Sequence, residues 1–236
     1  MKVQNVRVIV EDDYEAMSDR AFGIFKRKLR DARVLGFATG STPLGLYGRI
    51  SDGCGNGEVS LKNKISFNLD EYYPISRSDA RSYRHFMEKN LFSKTDLPEG
   101  SINFPDAELQ ESDAVLAYSA AYAADGPVDL QILGIGANGH IAFNEPGCTR
   151  NSRIRVVELS DNTVERNGCV STKAITMGIA EILESKSILL MASGRDKADA
   201  VMRMARGGVT GDVPASFLQL HDDVVAVLDK EAAAML

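Results

Sequence analysis

Seven short runs of β-branched and other apolar residues punctuate the 236-residue chain, and stretches with helical periodicity separate them. Runs of this length and continuity belong to strands buried on both faces, which is the environment of a parallel sheet built from βαβ units. They predict strands at Val6–Val10, Val34–Ala38, Ile65–Leu69, Leu130–Gly134, Ile154–Leu159, Ser187–Ala192 and Val224–Leu228. The clearest helix follows Asp12 or Asp13, either of which can cap it. Tyr14, Met17, Ala21, Ile24, Phe25 and Leu29 then share one face. Further helices are predicted at Leu44–Ile50, Ser82–Leu91, Ser112–Ala124, Thr176–Glu184 and Asp196–Ala205, and "SDGCGNGE" (Ser51–Glu58) reads as a plain surface connection. The expectation is an α/β fold with a mostly parallel central sheet, residues 1–236 forming a single domain.

Composition narrows the function. With 44% hydrophobic and 25% charged residues the chain can bury one good core. No apolar run approaches the ~18 residues of a membrane span, and the N-terminus lacks a basic flank before a cleavable apolar stretch, so a cytoplasmic protein is expected. A net charge of −6 speaks against nucleic acid, so an anionic ligand must be held by local groups. Cys54, Cys148 and Cys169 are odd in number and widely spaced, which suggests neither a disulfide framework nor a zinc site.

Ligands of open parallel sheets bind beyond the carboxyl ends of the strands, and three of these exits carry unusual polar residues. In "GFATGSTPLGLY", Thr39, Gly40, Ser41 and Thr42 form a polar turn before a helix that Pro43 can open; free N–H groups there favour a phosphate. In "ISFNLDEYYP", Asp70 and Glu71 follow a buried strand, where partial desolvation suits a carboxylate to general-base work. The third exit, "GIGANGHIAFNEPG" (Gly134–Gly147), matches a dinucleotide fingerprint through Gly134, Gly136 and Gly139, with Glu158 near the place of a ribose-binding acid. Pro146 and Gly147 interrupt the helix that fingerprint needs, so no nicotinamide cofactor is expected. The loop instead offers Asn138, His140, Asn144 and Glu145, with His140 able to give and take a proton and Glu145 near enough to orient it. His85 and His221 lack such neighbours and read as packing residues.

Together "ATGSTPLGLY", "FNLDEYY", "LGIGANGHIAFNEPG" and "VPASFLQLH" resemble, in this order, the motifs of the glucosamine-6-phosphate deaminase family and its galactosamine-6-phosphate isomerase relatives. The resemblance implies a Rossmann-like three-layer fold and a ketol isomerisation coupled to loss of ammonia, without metal or cofactor. It implies Asp70 as the base between C2 and C1, and His140, partnered by Glu145, as the group that opens the sugar ring. Thr39, Gly40, Ser41, Thr42 and Lys197 would hold the phosphate and sugar. Asn138 stands where many members carry an aspartate, which implies an imidazole that loses its proton more readily. Cys169 falls where glucosamine-type members carry a phosphate-binding arginine, leaving Arg166 or Lys173 to replace it. The run "TKAITMG" leans toward galactosamine 6-phosphate. A chain ending after "VVAVLDKEAAAML" implies a monomer or small homo-oligomer without allosteric activation. A 6-phosphogluconolactonase-like lactonase and a non-catalytic sugar-phosphate sensor are the alternatives.

Overall fold

The computed structural model describes residues 2–3, 5–166, 168 and 170–236, with the backbone alone at 2, 3, 161, 162 and 166. Its strands are β1 (Lys2–Val3), β2 (Val6–Glu11), β3 (Val34–Phe37), β4 (Ile65–Asn68), β5 (Asp70–Tyr73), β6 (Ile102–Asn103), β7 (Leu130–Leu133), β8 (Arg155–Glu158), β9 (Lys173–Thr176), β10 (Ile188–Ala192) and β11 (Val224–Asp229). Its α-helices are α1 (Tyr14–Leu29), α2 (Leu44–Gly55), α3 (Tyr83–Asn90), α4 (Glu111–Asp125), α5 (Asp161–Arg166), α6 (Ile179–Glu184) and α7 (Ala198–Arg206).

Eight strands pair in the order β1-β2-β11-β10-β7-β3-β4-β6, and all but β1 are parallel to their neighbours. From β3 the chain proceeds outward to β4 and β6, whereas from β7 it proceeds the other way, to β10 and β11. The two strands lie side by side. Their loops therefore leave in opposite directions and open a crevice between Phe37 and Leu133, the place where such sheets bind ligands.

Alternation along the strands builds two cores. Leu35, Phe37, Leu130, Ile132, Leu189, Met191, Val225 and Val227 face α1, α2 and α3, where Phe25, Tyr47 and Met87 are fully buried. On the other face, residues including Val34, Phe67, Leu190 and Ala226 meet α4, α6 and α7 through Tyr118, Ile182, Val201 and Met204. Helix, sheet and helix form the expected three layers. Asp13, rather than Asp12, caps α1, its Oδ1 accepting from Ala16 N at 2.8 Å.

The second sheet was not visible in the apolar pattern. Strands β5, β9 and β8 pair antiparallel, with Asp70 opposite Thr176 and Arg155 opposite Thr176 on the far side. The run at Ile154–Leu159 thus forms a strand, but in this small sheet, and residues from Asp70 continue as a strand where a loop was expected. Thr176 ends β9, so the helix predicted from Thr176 begins only at Ile179. Ser51–Gly55, expected as loop, continues α2. A 3₁₀ turn, Arg195–Lys197, precedes α7. No helix among the described residues is long and apolar enough to cross a membrane.

Gly178 joins β9 to α6 where a second chain segment passes very close. A Cβ there would lie 1.9 Å from the carbonyl oxygen of Ser152 and 2.6 Å from the Cα of Arg153. Gly178→Ala is expected to lower stability by about 1–3 kcal/mol, because backbone must move. Gly48→Ala, in the interior of α2 with nothing near the new methyl, is expected to raise stability by ~0.5–1 kcal/mol. Paired thermal melts check both signs.

Candidate active site

The turn after β3 presents backbone to the crevice. Gly40 has φ +98°, a conformation that favours glycine. The Tyr14 hydroxyl fixes the turn to the next helix by donating to Ser41 O at 3.1 Å and accepting from Gly45 N at 2.7 Å. No group among the described residues accepts from the N–H of Gly40, Ser41 or Thr42, and all three residues line the cavity, which leaves their backbone donors available to an anion. The loop after β10 is held from below by buried Asp229, which accepts from the Ser193 hydroxyl at 2.5 Å and from Gly194 N at 3.0 Å. It delivers Lys197 to the same cavity, its Nζ 3.1 Å from Asp196 Oδ2.

The loop after β7 is a chain of tight turns with no helix, which disposes of the dinucleotide reading in structural terms. Gly136 donates to His140 O at 2.9 Å, and a Cβ on Gly136 would fall 2.2 Å from Cε1 of His140, so the imidazole lies directly against the glycine. Only glycine leaves room for the ring. Glu145 Oε1 stands 3.7 Å from His140 Nδ1, an ion-pair distance rather than a hydrogen bond, and Nδ1 is buried without a partner. Burial opposes the charge on Glu145. The neighbouring imidazole and the donors Thr163 and Asn138 outweigh it, bringing the carboxyl down to about 2. Asn138 does not touch the ring: its Nδ2 donates to Glu145 Oε2 at 2.7 Å and its Oδ1 accepts from the His140 backbone N at 3.1 Å. Its influence passes through Glu145. Asn144, grouped with these residues by sequence, is fully buried and ties Ile141 O and Met177 O to Arg155.

Asp70 lies where the chain leaves the large sheet for the small one. Successive strand residues point to opposite sides. Asp70 accordingly lines a cavity of about 250 Å³, whereas Glu71 lines a separate one of about 140 Å³ with Arg84 and Phe104. Glu71 accepts from the N–H groups of Tyr72, Tyr83 and Arg84 at 2.9, 2.8 and 2.8 Å, pinning the start of α3. Burial raises Glu71 to about 7 even so. Asp70, only 5% exposed and without a hydrogen-bond donor among the described residues, is pushed up to about 8, first by burial and then by the Glu71 charge.

Asp70, His140, Thr39, Gly40, Ser41, Thr42 and Lys197 thus line one cavity, with Glu145 and Asn138 behind the imidazole. Lys173 is not brought there. It sits on β9, with Nζ 3.3 Å from Glu158 and 3.7 Å from Glu111, its charge engaged on the outer edge of the small sheet. Arg166 ends α5, with only its backbone described, and Cys169 lies outside the described residues. His221 is structural, as read: Nδ1 accepts from Asp223 N, so Nε2 donates to Ser185 O at 2.6 Å.

The sequence did not point to Tyr83, Phe143 and Thr163, which also line the cavity. The Tyr83 ring stacks on Phe143 with centroids 5.9 Å apart, and its hydroxyl donates to that of Tyr72 at 3.2 Å. Among the described residues no group of three or more His, Cys, Asp or Glu side chains could hold a metal ion.

Residues 13–227 match the family described as glucosamine-6-phosphate isomerases/6-phosphogluconolactonase. The chain is 42% identical to the glucosamine-6-phosphate deaminase of Clostridium botulinum strain Loch Maree (type A3), covering 98% of this chain and 99% of that one. It is 41% identical to glucosamine-6-phosphate deaminase 2 of Bacillus subtilis strain 168, covering 98% of each. A solved monomeric glucosamine-6-phosphate deaminase superposes with a TM-score of 0.94 at 37% identity, over 98% of this chain and all of that one. A 6-phosphogluconolactonase from Thermotoga maritima superposes with a TM-score of 0.80 at 20% identity, over 95% of this chain and all of that one, and shares the fold.

Burial of Asp70 carries a stability consequence with a definite sign. Its carboxyl sits near 8 in the folded protein against ~3.9 in an unfolded chain, so between these values the folded state holds the extra proton. This contribution is fully present below about pH 4 and is lost as pH rises through 8. Asp70→Asn is expected to melt like the wild type at about pH 3.5 and to gain on it progressively above that, being more stable at pH 9 by on the order of 1–3 kcal/mol or more. Denaturant melts at the two pH values check it; equal effects at both would mean that Asp70 is not charged against a burial penalty.

Proposed function

The chain belongs to the family of glucosamine-6-phosphate isomerases and 6-phosphogluconolactonases, and within it we propose a hexosamine-6-phosphate deaminase that converts glucosamine 6-phosphate to the ketohexose 6-phosphate and ammonia. The observation that carries this reading is one cavity lined by a buried carboxyl poised to exchange protons near neutral pH and by an imidazole backed by an ionised carboxylate. An aldose-to-ketose shift requires two such groups. One acts at the ring oxygen, the other moves a proton between adjacent carbons. The names of the two bacterial relatives favour the gluco epimer over galactosamine 6-phosphate.

The residues divide the work by environment. The phosphate rests on the free N–H groups of Gly40–Thr42 and the Lys197 ammonium, at an edge where backbone donors and a cation converge. His140, with Glu145 behind it, takes the proton from the anomeric hydroxyl and returns one to the ring oxygen, opening the sugar to its aldehyde. Ionised Asp70 then takes the proton from C2 and delivers it to C1. The resulting iminium at C2 adds water and releases ammonia, leaving the ketone. Asp70 suits this task because its raised proton affinity brings it closer to that of a carbon acid, while burial keeps the transferred proton from exchanging into bulk water. The family membership of a monomeric structural relative supports a chain that works without a partner subunit.

Purified protein incubated separately with the gluco and galacto epimers, without added metal or cofactor, is expected to release ammonia in step with ketose 6-phosphate, faster from glucosamine 6-phosphate. Release from neither, together with hydrolysis of 6-phosphogluconolactone, would replace this reading with a lactonase. Because the base must be ionised, kcat/KM is expected to rise with pH toward about 8. Asp70→Asn should lose ~10²–10⁴-fold in kcat. Lys197→Ala should raise KM by roughly 10-fold or more with a smaller effect on kcat, through loss of a charge-assisted phosphate contact.

A further inference from the structure

The partnerless Nδ1 of His140 faces a carboxylate whose nearer oxygen is already engaged. Glu145 Oε1 accepts the Thr163 hydroxyl at 2.5 Å and lies within 3.5 Å of the Ser160 hydroxyl, while His140 Nδ1, 3.7 Å away, receives nothing. The other oxygen is occupied by Asn138. Leaving a buried ring nitrogen unpaired is unfavourable, so the arrangement needs a cause. Thr163 supplies one. It belongs to α5, in the connection between β8 and β9, and Ser160 ties it in place through Oγ1 at 3.0 Å.

We propose that Thr163 is a positioning residue for His140: by holding Glu145 Oε1 to α5, its hydroxyl keeps the carboxylate from closing onto the imidazole. The inference rests on the reading of His140 as the ring-opening group. A carboxylate whose charge is shared among hydroxyl and amide donors attracts an imidazolium less than a free one. The imidazole is therefore not tied up by Glu145 and is free to meet the substrate. Thr163 also lines the cavity, so a substrate seated there meets the hydroxyl that holds Glu145 off the ring. Among the described residues the ionisable groups around His140 are Glu145 on its own loop and, lining the same cavity, Asp70, Tyr83 and Lys197; Arg155 on β8 stands beyond Asn144. Of the two hydroxyls that reach Oε1, Thr163 makes the shorter contact, 2.5 Å against 3.5 Å for Ser160, and its removal changes no charge.

With three histidines in the chain, NMR titration of the imidazole resonances reads His140 directly, its signal assigned by loss in His140→Asn. Thr163→Val keeps the shape and removes the hydroxyl. The His140 midpoint is expected to rise by roughly half to one pH unit, and Thr163→Ser to restore the wild-type value. Thr163→Ala removes the same hydroxyl with less bulk and should give the same rise if the valine variant folds poorly. An unchanged midpoint in the valine and alanine variants would overturn the proposal. So would a serine variant that shifts as far as valine, since packing rather than the hydroxyl would then be responsible. The titration needs no substrate: a shifted midpoint in a protein that releases no ammonia would overturn the deaminase reading and leave the positioning role standing.

Discussion

Leu69 is the residue on which the site depends. Its N–H donates to Phe37 O at 3.1 Å and so belongs to the parallel sheet, whereas its C=O accepts from Met177 N at 2.7 Å and so joins the antiparallel one. One residue therefore carries the chain across the seam between two sheets without leaving a backbone group unpaired, as burial at this depth demands. The side chain of the next residue emerges in the seam. Asp70 is buried because both sheets flank it, and it meets the crevice because β3 and β7 diverge beside it.

The same seam sorts two adjacent carboxyls into different tasks. Glu71 has three backbone N–H donors and serves as the anchor of α3, which in turn places the Tyr83 ring against the cavity. Asp70 has none among the described residues, so nothing offsets its desolvation and its proton affinity climbs. Hydrogen bonds to a charged carboxylate hold its pKa down, and withholding them raises it. Glu145, behind the His140 imidazole, has several donors and stays ionised. Three acidic groups within one region are thus separated in proton affinity by how deeply each is buried, by the donors that reach it and, for Glu145, by the neighbouring imidazole. An isomerase with two proton-handling steps needs that separation if one step is not to consume the other's proton.

The inner strands of the central sheet were legible because they are buried on both faces, and apolar runs such as "ILLMA" and "VVAVL" have no other use in a chain of this composition, whereas the two-residue outer strands β1 and β6 left no such run. The small sheet was not. "DEYY" and "KAIT" begin with charged residues, and their pairing joins segments a hundred residues apart, a fact no local pattern records. The site divides the same way. His140, Asp70 and the Thr39–Thr42 turn were readable because their residue types are unusual at strand exits. Tyr83 was hidden, since its position depends on Glu71 capturing the N–H groups of a helix twelve residues on. Lys173 was misread for the complementary reason: a cation that sequence shows as available is neutralised by Glu158 and Glu111, one from a neighbouring strand and one from α4.

Solved lactonases share this fold at about one-fifth identity, so the sheet order and the crevice do not by themselves select a reaction. Selection must come from what the loops place in the crevice. A lactone needs only one activated water and one base, and His140 with Glu145 could serve both. A carbon acid demands more. The base must hold the abstracted proton long enough to hand it to the neighbouring carbon, which requires a site dry enough that the proton is not lost to water and a base strong enough to hold it. Asp70 meets both conditions through a single cause, its burial in the seam. That cause also makes its ionisation unfavourable to folding, so the residue that best distinguishes an isomerase from a lactonase on this fold is one whose charged form the folded state disfavours.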